Sequence, residues 1–249
     1  MPRRFKIVLQ YDGTNYCGWQ RQLKDRSIQA EIEEALKPLN RNQPVAVIGA
    51  GRTDSGVHAR RQTAHFDLIT DLPAQTVQKA LNATLPDDIY VDECQEVAAD
   101  FHARFAATRR TYRYQIALQP AVFMRRYVWL VTFPFELELL QNCAALIVGE
   151  HDFTALCRAS TEAENKVCTV IESSWGKNEG QLIYTITANR FLHGMVRMLV
   201  GSMMEIARGK YPIAAFKNLL GNNSPEMQVY TAPAQGLVLW NVKYLEEKK

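Results

Sequence analysis

The sequence predicts an α+β protein of two ferredoxin-like halves, each a split βαβ unit, joined through a mainly antiparallel sheet. Three observations predict it. In the first hundred residues, runs of period-two and period-3.6 hydrophobicity follow in the order strand, helix, strand, strand, helix, strand. The second half repeats that scheme loosely, in element order and not in sequence identity. No low-complexity linker separates the halves, so one continuous sheet is expected. The 249 residues suffice for two modest cores, and the expected division is 1–104 and 105–249, with the junction near Phe101 to Thr108.

Phe5 to Tyr11 reads as the first strand, closed by the turn pair Asp12-Gly13. Tyr16 to Gln22 is an irregular loop. Ser27 is a good N-cap, and Ile28, Ile32, Ala35, Leu36 and Leu39 behind it form one apolar helical face. Strands are expected over Val45–Ile48 and Gln62–Ile69. Pro73 opens a helix with Val77, Ala80 and Leu81 inward, and Ile89–Val97 is a further strand. In the second half, Arg110–Leu118 reads as a long strand. Glu136–Val148 reads as a helix with Gly149 as its C-cap. Val167–Trp175 and Gln181–Ala188 form a hairpin around 177–180. Leu192, Val196, Leu199, Val200, Met203, Ile206 and Ala207 mark the strongest helical stripe of the chain. Pro212 starts a short helix, and Gly236–Tyr244 alternates as a final strand.

Apolar residues make up 47% and charged residues 22%, ordinary values for a water-soluble globular chain. The net charge of +3 announces no polyanion partner. Its distribution is more informative, because arginines cluster at Arg3 and Arg4, Arg60 and Arg61, Arg109, Arg110 and Arg113, and Arg125 and Arg126. Arginine suits planar contacts to phosphates and bases, although a solvated surface explains any single pair. Five cysteines without CxxC or nearby histidines exclude a disulfide frame or zinc site and read as buried thiols in a reducing compartment. No apolar run approaches the roughly 20 residues of a membrane span, and Met1-Pro2-Arg3-Arg4 leads into a strand and not a signal peptide. A cytoplasmic protein is expected, with no membrane and no metal.

Between two of the expected strands lies Gly49-Ala50-Gly51-Arg52-Thr53-Asp54-Ser55-Gly56-Val57-His58-Ala59. Three glycines leave the backbone room for tight turns and close approach of a ligand. An acid and a base, Asp54 and Arg52, sit two residues apart on a loop, where catalytic groups are commonly mounted. Asp-Ser-Gly alone is ordinary turn chemistry. The longer string Gly-Arg-Thr-Asp-x-Gly-Val-His-Ala, however, resembles the catalytic loop of the tRNA pseudouridine synthase A family.

That resemblance runs along nearly the whole chain. Tyr11-Asp12-Gly13 and Gly18-Trp19-Gln20-Arg21-Gln22 are similar to the family's opening motif, and Asn82-Ala83-Thr84-Leu85-Pro86 to its Asn-x-x-Leu-Pro turn. Asp100-Phe101-His102-Ala103-Arg104-Phe105 resembles its inter-domain segment and Tyr112-Arg113-Tyr114 its second motif. Asp152-Phe153, Phe191-Leu192-x-x-Met195-Val196-Arg197-x-x-Val200-Gly201 and Gly236-Leu237 complete the series in order. The chain departs from the pattern at Arg61, where glycine is expected, at Thr84 for a frequent second asparagine, and at Cys168 for an arginine.

The resemblance implies a pseudouridine-synthase-type core with a central RNA-binding cleft, a tRNA substrate modified at positions 38, 39 and 40 of the anticodon stem-loop, a homodimer, and no cofactor. It implies Asp54 as nucleophile, Arg197 as its ion-pair partner and Tyr112 as the ring that stacks on the target base, with a possible part in proton transfer. Arg52, His58, Arg60, Arg61, Arg109 and Arg110 are the further candidates for holding RNA. Each has a plainer reading. Tyr112 and Tyr114 share a strand face with Ile116 and Leu118 and by periodicity are core aromatics. Arg197 flanks an apolar stripe, as a snorkelling surface arginine would. His58 and His102 have no partner at metal-ligand spacing.

Breaking N1–C1′, turning the uracil and rejoining it through C5 oxidises nothing and imports no group, so a single nucleophilic carboxylate fits the demand. An adjacent arginine keeps such a carboxylate ionised in an apolar pocket. Two other classes compete. A non-catalytic RNA-binding module can be built from ferredoxin-like units, but no RNP-type aromatic string appears. A metal-dependent hydrolase using Asp54 and His58 lacks further ligands.

Overall fold

A computed structural model describes residues 2–161, 163–178, 180–221 and 227–245. Along Arg3–Tyr11 (β1), Phe5, Ile7 and Leu9 are fully buried at every second position, the pattern of a strand with a core face. The helix Ile28–Leu36 (α1) begins where expected, with the Ser27 hydroxyl accepting from Ala30 N, and buries Ile28, Ile32, Ala35 and Leu36. A two-residue strand Ile48–Gly49 (β2), the long strand His58–Leu68 (β3), the helix Ala74–Thr84 (α2) and the strand Ile89–Val97 (β4) follow. β1 lies between β3 and β4, antiparallel to both, with Ile7 opposite Ala64 on one side and Cys94 on the other.

The strand expected over Val45–Ile48 shrinks to Ile48–Gly49, for a local reason. Glu33 of α1 is buried, and its Oε1 accepts from the backbone N of Val47 at 3.2 Å, while Gln29 Nε2 donates to Val47 O at 2.9 Å. Side chains thus satisfy the polar groups a neighbouring strand would otherwise take. Val45 and Val47 are buried as apolar plugs without ladder pairing.

The chain divides into two compact units, Met1–Thr108 with Leu239–Lys249, and Arg109–Val238. In the second, Ala107–Ala117 (β5), Trp129–Leu130 (β6), the helix Leu137–Ile147 (α3), Gly149–Asp152 (β7), Val167–Asn178 (β8), Gln181–Ala188 (β9) and the helices Met195–Ala207 (α4) and Ile213–Leu219 (α5) follow in order, and the last strand, Leu237–Tyr244 (β10), belongs for most of its length to the first unit. β9 lies between β5 and β8, antiparallel to both; β7 pairs antiparallel with β8, and β6 parallel with β5. β10 lies beside β3 within the first unit. The protein is thus a mixed α/β fold whose sheets are mostly antiparallel.

Gly149 is not a helix cap. The cap is Val148, and Gly149, at φ +115°, turns the chain directly into β7, a strand too short and polar to announce itself. Leu192 precedes α4, which is buried on nearly every face; only Arg197 and Met198 are half-buried. Of the expected 177–180 turn, residue 179 lies outside the described residues. Among the described residues no helix is long and apolar enough to cross a membrane.

His65 of β3 is 3% exposed and ties the first unit together, its Nδ1 accepting from Ala103 N at 3.1 Å. Burial, then repulsion from His102 and Arg4, holds its pKa down to about 4. Below about pH 6.5 the unfolded chain takes a proton that the folded chain refuses until about pH 4. Stability is therefore expected to fall as pH drops through that window, by up to about 3 kcal/mol, and to level off beneath it. Urea melts at pH 7, 5.5 and 4 check this: His65→Gln must show a shallower loss than the native chain.

Candidate active site

The loop from Gly49 to Ala59 is held from two sides, by the end of β1 with the segment that follows it and by β3. Tyr11 and Thr53 share a buried hydroxyl hydrogen bond of 2.8 Å. Trp19 N donates to Thr53 O at 3.1 Å, on the residue before Asp54, and Gly56 N donates to Tyr16 O at 3.3 Å. Ser55 Oγ donates to Tyr16 O as well, at 3.2 Å. Inside the loop, Val57 N closes onto Asp54 O at 3.1 Å, with Gly56 at φ +76°. From β3, Gln62, fully buried, donates to Gly51 O at 2.8 Å, and Ala50 N donates to Thr63 O at 2.7 Å. Asp54 is half-buried at the centre of this frame and Arg52 beside it is exposed.

Close approach explains which glycines are needed. A Cβ at Gly18 would lie 2.4 Å from Thr53 O and 2.9 Å from the Asp54 carbonyl carbon, and Gly18 sits at φ +101°. A Cβ at Gly13 would lie 2.0 Å from Val57 O, and one at Gly49 would meet the Trp19 ring at 2.6 Å. Gly51 meets nothing within 4 Å, so packing does not require that glycine.

The clamp is itself anchored. Tyr16 is 3% exposed, donates its hydroxyl to Asp88 and carries the Arg26 guanidinium 4.9 Å over its ring. Burial, then the bond to Asp88, pushes its pKa upward, as burial does for Tyr11; both stay neutral phenols. His58 is 3% exposed, and its Nδ1 accepts from Gly13 N at 3.0 Å, tying the far end of the loop to the turn after β1. Asp12 Oδ1, 3.1 Å from the same nitrogen, takes its hydrogen bonds from the Thr14 backbone and hydroxyl.

Elsewhere on the first unit, Arg60 lies 3.6 Å from the buried Oδ2 of Asp92, and Arg61 lies 2.7 Å from Glu93 in a solvent-facing pair of small energetic weight. On the second unit, Tyr112 is 7% exposed, opposite Ile186, with its ring edge-on to Phe191 at 5.0 Å. Tyr114 is fully buried and donates to Pro233 O at 2.8 Å. Arg110 is 9% exposed and donates to Asn189 O at 2.8 Å, whereas Arg109 is exposed. Arg197 Nε donates to Ala232 O at 2.8 Å while Ala232 N donates to Arg197 O at 3.0 Å, which fixes the direction of the guanidinium. Gly201 lets this segment lie close to α4, since a Cβ there would stand 2.1 Å from Tyr230 O.

Of the departures from the motif pattern, Arg61 makes the pair just described, Thr84 Oγ1 donates to Ala80 O, and Cys168 is buried as a thiol whose pKa burial raises. Among the described residues no group of three or more His, Cys, Asp or Glu side chains is arranged to hold a metal ion.

The sequence profile of the tRNA pseudouridine synthase family matches residues 7–106 and 143–245, most of the chain and both units. The chain belongs to the tRNA pseudouridine synthase family. Relatives agree over full length. The tRNA pseudouridine synthase A of Brevibacillus brevis is 41% identical over 244 residues, covering 97% of this chain and 100% of its own. That of Anoxybacillus flavithermus is 39% identical over 243 residues, 97% and 99% of the two chains. That of an Exiguobacterium species is 40% identical over 242 residues, 97% and 98%. As a tRNA pseudouridine synthase the protein is an isomerase. The residues that clamp its Asp54 loop, Tyr11, Tyr16, Gly18 and Trp19, have no role assignable from sequence; the signal for Tyr11, Gly18 and Trp19 was their place in the opening motif, and Tyr16 lay in an irregular loop without one.

Proposed function

We propose that this enzyme converts uridine to pseudouridine at positions 38, 39 and 40 of the tRNA anticodon stem-loop, with Asp54 as nucleophile and no cofactor. The observation that carries the reading is a half-buried carboxylate on a loop whose backbone is bonded from both sides, by Trp19 and Tyr16 and by Gln62 and Thr63. Such a frame holds a nucleophile in position without energy lost to reorganisation during the reaction. Asp54 carries the covalent step, and Tyr112 stacks on the extruded uracil. Unstacking the base costs a few kcal/mol, and base–aromatic stacking of roughly 1–3 kcal/mol offsets much of that. Arg60, Arg61, Arg109 and Arg110 contribute phosphate contacts, and His58 supports the loop from beneath. The enzyme works in the cytoplasm as a homodimer on this reading. Its two halves, divided at about residue 104, are split βαβ units, a reading supported by the order β1-α1-β2-β3-α2-β4 in the first.

In the RNA-bound enzyme, Arg197 is the cation that keeps Asp54 ionised, and Arg52 meets RNA. Support comes from the elements that carry them: Arg197 is on a buried helix and oriented by Ala232, whereas Arg52 is exposed on a loop. Arg197→Ala is expected to lower thermal stability and raise the apparent pKa of single-turnover catalysis. Arg52→Ala should leave the melt unchanged and act only on RNA-bound steps. Melts and single-turnover pH profiles on both variants test it, and the reverse pattern exchanges the two roles.

A further inference from the structure

Away from the Asp54 loop, the first unit carries a ladder of rings that reaches from its core to its surface. His65 of β3, buried, lies 4.8 Å from the His102 ring, and His102 stacks at 4.3 Å and 30° on Phe105. Phe105 is 77% exposed. The turn holding it is closed by its own bonds: His102 Nδ1 accepts from Arg104 N at 3.2 Å and Phe105 N at 3.3 Å, and Ala106 N donates to His102 O at 2.9 Å. One face of Phe105 is therefore backed by a fixed ring, while the side chain as a whole faces solvent with the Arg104 guanidinium over it. A scattered surface aromatic is ordinary; a rigid ring presented in this way is a stacking surface.

The surrounding charge selects the occupant. The Arg104 guanidinium lies 5.9 Å from the Phe105 ring centre, and Lys6 Nζ lies 5.5 Å from Phe101 and 5.6 Å from Tyr244, both part of the same aromatic cluster. Arg104 and Lys6 thus put positive charge beside the ring cluster, which suits an anion. A single open ring flanked by cations is far smaller than the roughly 800 Å² per partner of a stable protein interface. It matches what single-stranded nucleic acid needs: a ring for the base and cations for the phosphates.

We propose that Phe105, backed by His102, is a stacking platform for an unpaired base of the RNA substrate, with Arg104 at the adjacent phosphate. The proposal rests on the reading of tRNA as substrate. Gly49, at the near end of the loop, pairs with Ala64, but Asp54 is tied to Val57 at the far end, and seven strand positions separate the adjacent His58 from His65, a span of about 23 Å. The base on Phe105 is thus a different nucleotide from the one undergoing reaction, and the platform acts on binding and not on chemistry.

The test measures the dissociation constant of an unmodified tRNA transcript at fixed salt for the native enzyme and for Phe105→Ala, Phe105→Leu and Phe105→Trp, with kcat at saturating tRNA. Expected are about tenfold weaker binding for Ala and Leu, native or tighter binding for Trp, and unchanged kcat. Phe105→Leu binding as tightly as native, or Phe105→Ala within twofold of it, overturns the platform. So does a change in oligomeric state on Phe105→Ala in sedimentation, which would make the ring a contact between protein copies. The expected binding pattern without any pseudouridine formed would remove the proposed activity and leave the platform standing.

Discussion

Asp54→Asn is expected to abolish pseudouridine formation, by on the order of a thousandfold or more, while tRNA binding stays within a few-fold of native. Removing a nucleophile cancels the covalent step, and such losses are among the largest that single substitutions produce. The phosphate contacts that dominate RNA affinity lie elsewhere and are untouched. The substitution is nearly isosteric, and the loop around Asp54 is held by backbone atoms of Thr53, Asp54, Gly56 and Val57, so the fold is retained. Single-turnover assays with a parallel binding titration check both halves. A near-native rate for Asp54→Asn would exclude nucleophilic and electrostatic roles alike.

Gly18→Ala is expected to give the next largest loss without touching a reacting group. Its Cβ would press on Thr53 O at 2.4 Å, against backbone that cannot swing aside, from a φ of +101° that alanine resists. The strain costs about 1–3 kcal/mol of stability. Relief by shifting the loop moves Asp54, and a displacement near 1 Å lowers kcat by about a hundredfold. Gly51→Ala is the built-in control, on the same loop but with nothing within 4 Å, and should behave as native. Equal kcat for the two alanine variants would contradict the clamp.

Much of this was legible in the sequence because the relevant signals are local. Alternation in β1 and β4, the Ser27 cap of α1 and the stripe of α4 each fix an element through its own residues. The Asp54 loop was legible as a string. What holds the loop was not, since bonds such as Trp19 N to Thr53 O join residues far apart in sequence through backbone atoms that carry no residue signature. The replacement of a strand by Glu33 and Gln29 was hidden for the same reason: a glutamate on a helix reads as solvated until its burial is seen. His65, one of several polar residues in β3, gave no sign of its tie to Ala103.

Incubating the native enzyme with an unmodified tRNA transcript in the presence of a chelator, and mapping pseudouridine nucleotide by nucleotide, tests the assigned reaction and its position together. Pseudouridine is expected at positions 38, 39 or 40, wherever uridine occurs there, and at no other site. Product confined to another arm of the tRNA, or none at all from a folded enzyme that binds the transcript, would contradict it.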